Sequence, residues 1–146
     1  VTAEGARAQV QRQSFPGELD SLSPIREIVR SAAASAGLDA GKSYRLELAV
    51  DEIATNIIVH GYEEAKRTGS VVVAVVIDDK GVEVTLEDSA AAYDPTTEQL
   101  PSPEELASPL SQRDLGGLGV MLARAADVFR YERAGEMNRT TLGMRR

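Results

Sequence analysis

The stretch Leu46-Glu-Leu-Ala-Val-Asp-Glu-Ile-Ala-Thr-Asn-Ile-Ile-Val-His-Gly61 does most to limit what this chain can become. At about 100° per residue, Leu46, Ala49, Val50, Ile53, Ala54 and Ile57 fall on one stripe, which describes a helix laid against a core. Glu52 and Asn56 stand one turn apart on a strip along the edge of that stripe, where polar groups are costly to bury without partners. Lys or Arg would be the bland choice there. The spacing predicts a helix from about Ala40 to His60 that stops at Gly61.

With 146 residues, 42% of them apolar, the chain has material for one sizeable core and is expected to form one domain over residues 1–146. It has no cysteine, which excludes a disulfide framework and a thiolate metal site, and the single histidine, His60, excludes a His-rich metal cluster. The longest apolar run, Val71 to Ile77, is far short of a bilayer span and no basic-apolar leader opens the chain. A soluble protein without membrane association follows, compatible with the reducing cytoplasm. A net charge of −7 argues against direct nucleic-acid binding, which needs a basic surface, and favours a protein partner or a metal-shielded small anion. The start at Val1 rather than Met is compatible with a piece of something longer, such as the regulatory tail of a larger phosphatase or sensor.

Val10 to Phe15 alternates weakly as a first strand ended by Pro16-Gly17. Ser23-Pro24 reads as an N-cap followed by proline in the first turn, and the stripe Ile25, Ile28, Val29, Ala32 and Ala36 predicts a helix over Pro24–Ala36 ended by Gly37. The β-branched density of Gly69 to Asp79 suits a buried strand, and Asp79-Lys80-Gly81 turns the chain into an alternating strand, Val82–Leu86. After the loop Glu87-Asp-Ser-Ala-Ala-Ala-Tyr-Asp-Pro95, residues Thr96 to Leu115 hold three prolines and no clear period, as expected of a long mobile loop serving a site, with a lid at about 95–118. Gly116-Gly-Leu-Gly119 opens a helix through Ala125, and Val128–Arg133 and Thr140–Met144 are strands around a turn at Ala134-Gly-Glu-Met-Asn138. This order predicts an α+β fold: a two-layer sandwich whose mixed, mainly antiparallel sheet carries about three helices on one face.

Each polar feature has a structural and a chemical reading. Glu52 with Asn56 is a hydrogen-bonded pair at a helix edge, or an Asn oxygen for Mg²⁺ beside a carboxylate able to take a proton from an attacking hydroxyl. Asp88 is a turn-initiating aspartate, or an acceptor for the exocyclic amine of a base in a pocket walled by Ala90 to Ala92. Gly116 to Gly119 is a hinge, or a close backbone approach whose amides favour phosphate at a helix N-terminus. His60 ends a helix or borders the same site one turn beyond Asn56. The arginines from Arg124 onward make a solvated strand face or a docking surface for an acidic partner.

In chain order these features compose a nucleotide site without a Walker lysine loop, and there the sequence resembles the anti-sigma-factor serine kinases, a branch of the GHKL (Bergerat-fold) ATP-binding superfamily. The resemblance is strong from Leu46 to Leu122, and Glu52-Ile-Ala-Thr-Asn56-Ile-Ile-Val-His60-Gly-Tyr62 is its most specific part. It implies that Asn56 coordinates Mg²⁺ on the phosphates of ATP, with His60 nearby, and that Glu52 is the base acting on a substrate serine. It further implies that Asp88 accepts from the adenine amino group, that Tyr93, Asp94 and Pro95 match the aromatic-Asp-Pro ending of this loop, and that Gly116, Gly117, Leu118 and Gly119 form the glycine box closing the lid. Thr140 sits where the superfamily has a Gly-Thr pair, with Arg139 in the glycine's place, and Ala90 stands where the first glycine box has glycine.

Such a protein silences a sigma factor or similar regulator, phosphorylates a STAS-domain antagonist, and in this family forms homodimers. The alternatives are a non-catalytic partner-sequestering module with a degenerate nucleotide site, for which Ala90 speaks, and a sensor histidine kinase catalytic fragment.

Overall fold

The computed structural model describes residues 9–97 and 116–146, the side chains of 116–119 excepted. Most of the expected lid, residues 98–115, lies outside the described residues. The chain runs β1 (Gln9–Pro16), a 3-10 turn (Leu19–Ser21), α1 (Leu22–Ser35), α2 (Ala40–Asn56), a π-helical turn (Ile57–Glu63), β2 (Ser70–Ile77), β3 (Gly81–Asp88), a 3-10 turn (Pro95–Thr97), α3 (Gly116–Arg124), β4 (Val128–Ala134) and β5 (Met137–Arg145). The five strands form one sheet in the order β1-β2-β3-β5-β4, with every described pairing antiparallel. The α+β sandwich expected from the sequence is the observed architecture.

Strand alternation decides which side chains meet the helices. Val71, Val73 and Val75 of β2, Val82, Val84 and Leu86 of β3, and Leu142 and Met144 of β5 are buried, and register aligns them in rows such as Val73–Leu86–Thr140 and Val75–Val84–Leu142. The helices answer with Ile25 and Val29 from α1, Leu46, Val50 and Ile53 from α2, and Val120 and Ala123 from α3. Val72, Ala74 and Val76 point to the other face and are only half-buried. The apolar run of β2 is therefore not a strand buried on both sides, because the described helices sit on one face alone. β1 is an edge strand with only Phe15 buried, which explains its weak alternation.

Several boundaries differ from the sequence expectation. Ser23 does not cap α1, which begins at Leu22 after the 3-10 turn, while the Ser21 hydroxyl donates to the Pro16 carbonyl at 2.6 Å. The far end closes as expected at Gly37: Leu38 N–H bonds to the Ala33 carbonyl and Gly37 N–H to that of Ala34, leaving Leu38 buried. Asp39 then caps α2 by accepting from Lys42 N–H at 2.8 Å. The second helix does not stop at Gly61. It widens after Asn56 and continues to Glu63, with Glu64 N–H reaching back five residues to the Val59 carbonyl.

Candidate functional site

The polar edge of α2 and the end of β3 face one cavity of about 300 Å³. From α2 and its extension it receives Glu52, Ile53, Asn56, Ile57, His60 and Gly61. The end of β3 and the loop beyond contribute Asp88, Ala90, Ala91, Ala92, Tyr93 and Pro95, and β5 adds Asn138 and Thr140. The change of helical pitch falls immediately after Asn56, and the wider turn that follows carries His60 and Gly61 to the cavity wall.

Asp88 lies deepest in chemical terms. It is 2% exposed, and its Oδ1 accepts from Ala90 N–H at 3.0 Å and from Asn138 Nδ2 at 2.9 Å. Burial raises its carboxyl above the ordinary range, against the opposing pull of the Asn138 and Ala90 hydrogen bonds and the Arg133 charge. Asn138, itself buried, also donates to the carbonyls of Ala90 and Ala91, both at 3.1 Å, while its Oδ1 accepts from the Tyr131 hydroxyl and from Arg133 Nη1 at 2.9 Å. The same Arg133 nitrogen donates to the Ala90 carbonyl at 3.2 Å. No hydrogen bond involves Asp88 Oδ2 among the described residues, so the carboxylate has one oxygen committed to the fold and one left for a ligand.

The structure thus brings Glu52, Asn56, His60, Asp88, Ala90, Tyr93 and Thr140 to one space. His60 is exposed and its Nδ1 lies 2.7 Å from Glu64 Oε2. Asp94 caps the 3-10 turn, accepting from Thr96 N–H at 2.9 Å, and does not line the cavity. Gly116, Gly117, Leu118 and Gly119 form the first turn of α3, which packs against α2, but their side chains lie outside the described residues. Arg139, standing in place of a glycine, faces away from the cavity: it pairs with Glu132 at 3.2 Å and Glu87 at 3.7 Å on the uncovered face of the sheet. Ala90 does not need a glycine's backbone, because Lys66 is the one described non-glycine residue with positive φ.

Sequence reasoning missed Asn138, Tyr131 and Arg133. The sequence places Asn138 in a turn, yet β5 begins at Met137, and the parity of Thr140, Leu142 and Met144 runs back to it. The arginines from Arg124 onward do not form one set. Arg130 and Arg139 do lie in ion pairs on the uncovered face, while Arg133 reaches the Asp88 network.

The donor set fits a nucleotide. Ile53, Ile57 and Ala90 to Ala92 offer apolar walls for a base, Asp88 offers an acceptor, and Glu52 and Asn56 supply oxygen atoms of the kind Mg²⁺ takes. No helix among the described residues is long and apolar enough to cross a membrane.

Comparison with solved structures finds a likeness to the RsbU and RsbW domains of Rv1364c from Mycobacterium tuberculosis, at 18% identity and a TM-score of 0.63. The match covers 94% of this chain and 32% of that one, so the chain spans about a third of the length of that relative. No curated protein matches the chain. The family model of the histidine kinase-like ATPase domain matches residues 15–145, which includes every cavity residue, and the chain belongs to that family.

Proposed function

We propose that the chain is an ATP-binding anti-sigma regulatory factor with Mg²⁺-dependent serine kinase activity on a STAS-domain antagonist, acting by partner switching in the cytoplasm. The observation that carries this reading is the single cavity shared by the Glu52–Asn56 strip and Asp88. Family membership supports ATP as the ligand, and the likeness to a protein with RsbU and RsbW domains supports the partner-switching branch.

In this reading Asp88 Oδ2 accepts from the adenine amino group, and Ile53, Ile57 and the Ala90–Ala92 loop hold the ring away from water. The Asn56 side-chain oxygen holds Mg²⁺, and the backbone amides of Gly116 to Gly119 at the start of α3 face phosphate. Bound Mg-ATP supplies the phosphoryl group and the metal that neutralises its charge. Glu52 orients the incoming serine hydroxyl and takes its proton, so the chain contributes mainly position and electrostatics. His60 and Thr140 complete the lining. The sigma factor or similar regulator, the antagonist, a homodimer and a lid near residues 95–118 belong to the same proposal. The sequestering alternative drew on Ala90, and the absence of a left-handed backbone at that position weakens it.

Calorimetric titration with ATP, with and without Mg²⁺, is the test. Heat that depends on Mg²⁺ and is lost in Asn56→Ala supports the nucleotide reading, and absence of heat for the parent chain overturns it. Glu52→Ala separates kinase from module: it should abolish phosphotransfer to a STAS protein while leaving Mg-ATP binding intact.

A further inference from the structure

We infer that Gly61 and Ala90 form one steric unit whose fit sets the position of the Asp88 carboxylate, which makes Gly61 a positioning residue for the base end of the cavity. A Cβ placed on Gly61 would lie 2.8 Å from the Ala90 Cβ, closer than methyl groups approach, and among the described residues it would meet no other atom within 4 Å beyond its own surroundings. The obstacle is therefore one methyl group.

That methyl cannot step aside freely. Ala90 is 3% exposed and its backbone is held at both ends: its N–H donates to Asp88 Oδ1 at 3.0 Å, and its carbonyl accepts from Asn138 Nδ2 at 3.1 Å and Arg133 Nη1 at 3.2 Å. Pushing the Ala90 methyl moves the peptide that holds Asp88. A side chain at position 61 thus acts on the carboxylate through Ala90, although residue 61 is 27 positions away in sequence. The wide turn of residues 57–63 brings Gly61 to this contact, and the missing side chain permits it.

The unit should be reversible. Moving the methyl from the loop to the helix, as Gly61→Ala with Ala90→Gly, removes the obstructing Ala90 Cβ and leaves the loop's hydrogen-bonding groups in place. The Ala gained in a helical turn offsets the Gly added to the loop. This follows from the packing alone, and only its nucleotide consequence rests on the proposed function.

Parent, Gly61→Ala, Ala90→Gly and the double variant form a cycle. Three measurements read it: thermal unfolding without ligand, the ¹H–¹⁵N resonance of the residue-90 amide that bonds Asp88, and Mg-ATP affinity by calorimetry. Gly61→Ala should shift that resonance and weaken affinity about tenfold or more, and the double variant should return affinity to within about twofold of Ala90→Gly. A Gly61→Ala protein identical to the parent, or a double variant as impaired as Gly61→Ala, overturns the inference. Should Gly61→Ala fail to fold, a folded double variant supports the unit and an unfolded one overturns it. If the parent binds no Mg-ATP, the nucleotide reading fails separately, while the amide resonance and melting still judge the pair.

Discussion

Asn138 and Asp88 face each other across the β3–β5 pairing, and Asn138 Nδ2 donates to Asp88 Oδ1 at 2.9 Å. The amide is fixed in this orientation because Tyr131 and Arg133 both donate to its oxygen. Its NH₂ group then serves Asp88 and the carbonyls of Ala90 and Ala91 together. One buried side chain therefore holds the Asp88 carboxylate and the loop that follows it, and a buried hydrogen-bond network of this kind specifies a single arrangement.

Replacing Asn138 by Ala should consequently cost more than one hydrogen bond. Asp88 loses a donor, and Tyr131, Arg133 and two carbonyls lose their shared partner, so destabilisation of about 1–3 kcal/mol is expected in urea unfolding. Loss of the donor also raises the Asp88 carboxyl further. Nucleotide affinity should fall alongside stability, and an Asn138→Ala protein with parental stability and affinity would remove Asn138 from the site.

Asp88 gives a pH dependence whose sign follows from its raised folded-state pKa. Protonated Asp88 suits the fold better than ionised Asp88, so its contribution to stability is fully present below the ordinary carboxylate range. It is lost as pH rises through the raised value. Asp88→Asn cannot ionise, and its oxygen can still accept from Ala90 and Asn138. Its urea midpoint relative to the parent should rise between acid and neutral pH. Binding moves the other way: the variant presents NH₂ to the cavity and should lose ATP, and in the parent ATP affinity should fall on acidification through the same raised value. A midpoint difference that shrinks with rising pH would refute the assignment.

The sequence showed the element order, the core stripe of α2 and the Glu52–Asn56 strip plainly, because helical and strand periods are local properties. Two features escaped it for physical reasons. The wide turn after Asn56 leaves no mark in composition, so Gly61 read as a stop when it is a contact. Asn138 lies beside a glycine turn, and its place in a strand row rests on pairing with Arg133 across that turn and with Asp88, fifty residues earlier. The Gly116–Gly119 run is visible as a motif and opens α3 as expected.

Tyr62 ties the π-helical turn to the Asp88 loop. Its hydroxyl donates to the Ser70 carbonyl at 2.8 Å and accepts from Ser89 N–H at 2.9 Å, and its ring fills a slot between Gly17 and Gly69. Tyr62→Phe keeps the ring and removes both bonds, leaving an N–H and a carbonyl without these partners. A loss of about 1–3 kcal/mol should appear in thermal or urea unfolding. The amide of Ser89, next to Asp88, should exchange with solvent faster than in the parent. Unchanged exchange would mean that the loop is held without Tyr62.

Arg139→Gly tests the two faces of the sheet against each other. Residue 139 stands beside Thr140 in sequence, yet strand alternation sends its side chain to the uncovered face, where it meets Glu132 and Glu87. The Arg139 side chain is 45% exposed and Glu132 is more so, and such pairs contribute about 0–1 kcal/mol. Glycine within a strand adds a cost of about 0.5–1 kcal/mol. A small loss of stability is therefore expected, with no change in ATP affinity, since no atom of Arg139 lines the cavity. Thr140→Val, one residue further along and 3% exposed, alters a cavity wall at nearly constant volume and should change affinity with little effect on melting. The opposite pairing, with affinity following residue 139 and indifferent to residue 140, would mean that β5 presents its other face to the nucleotide.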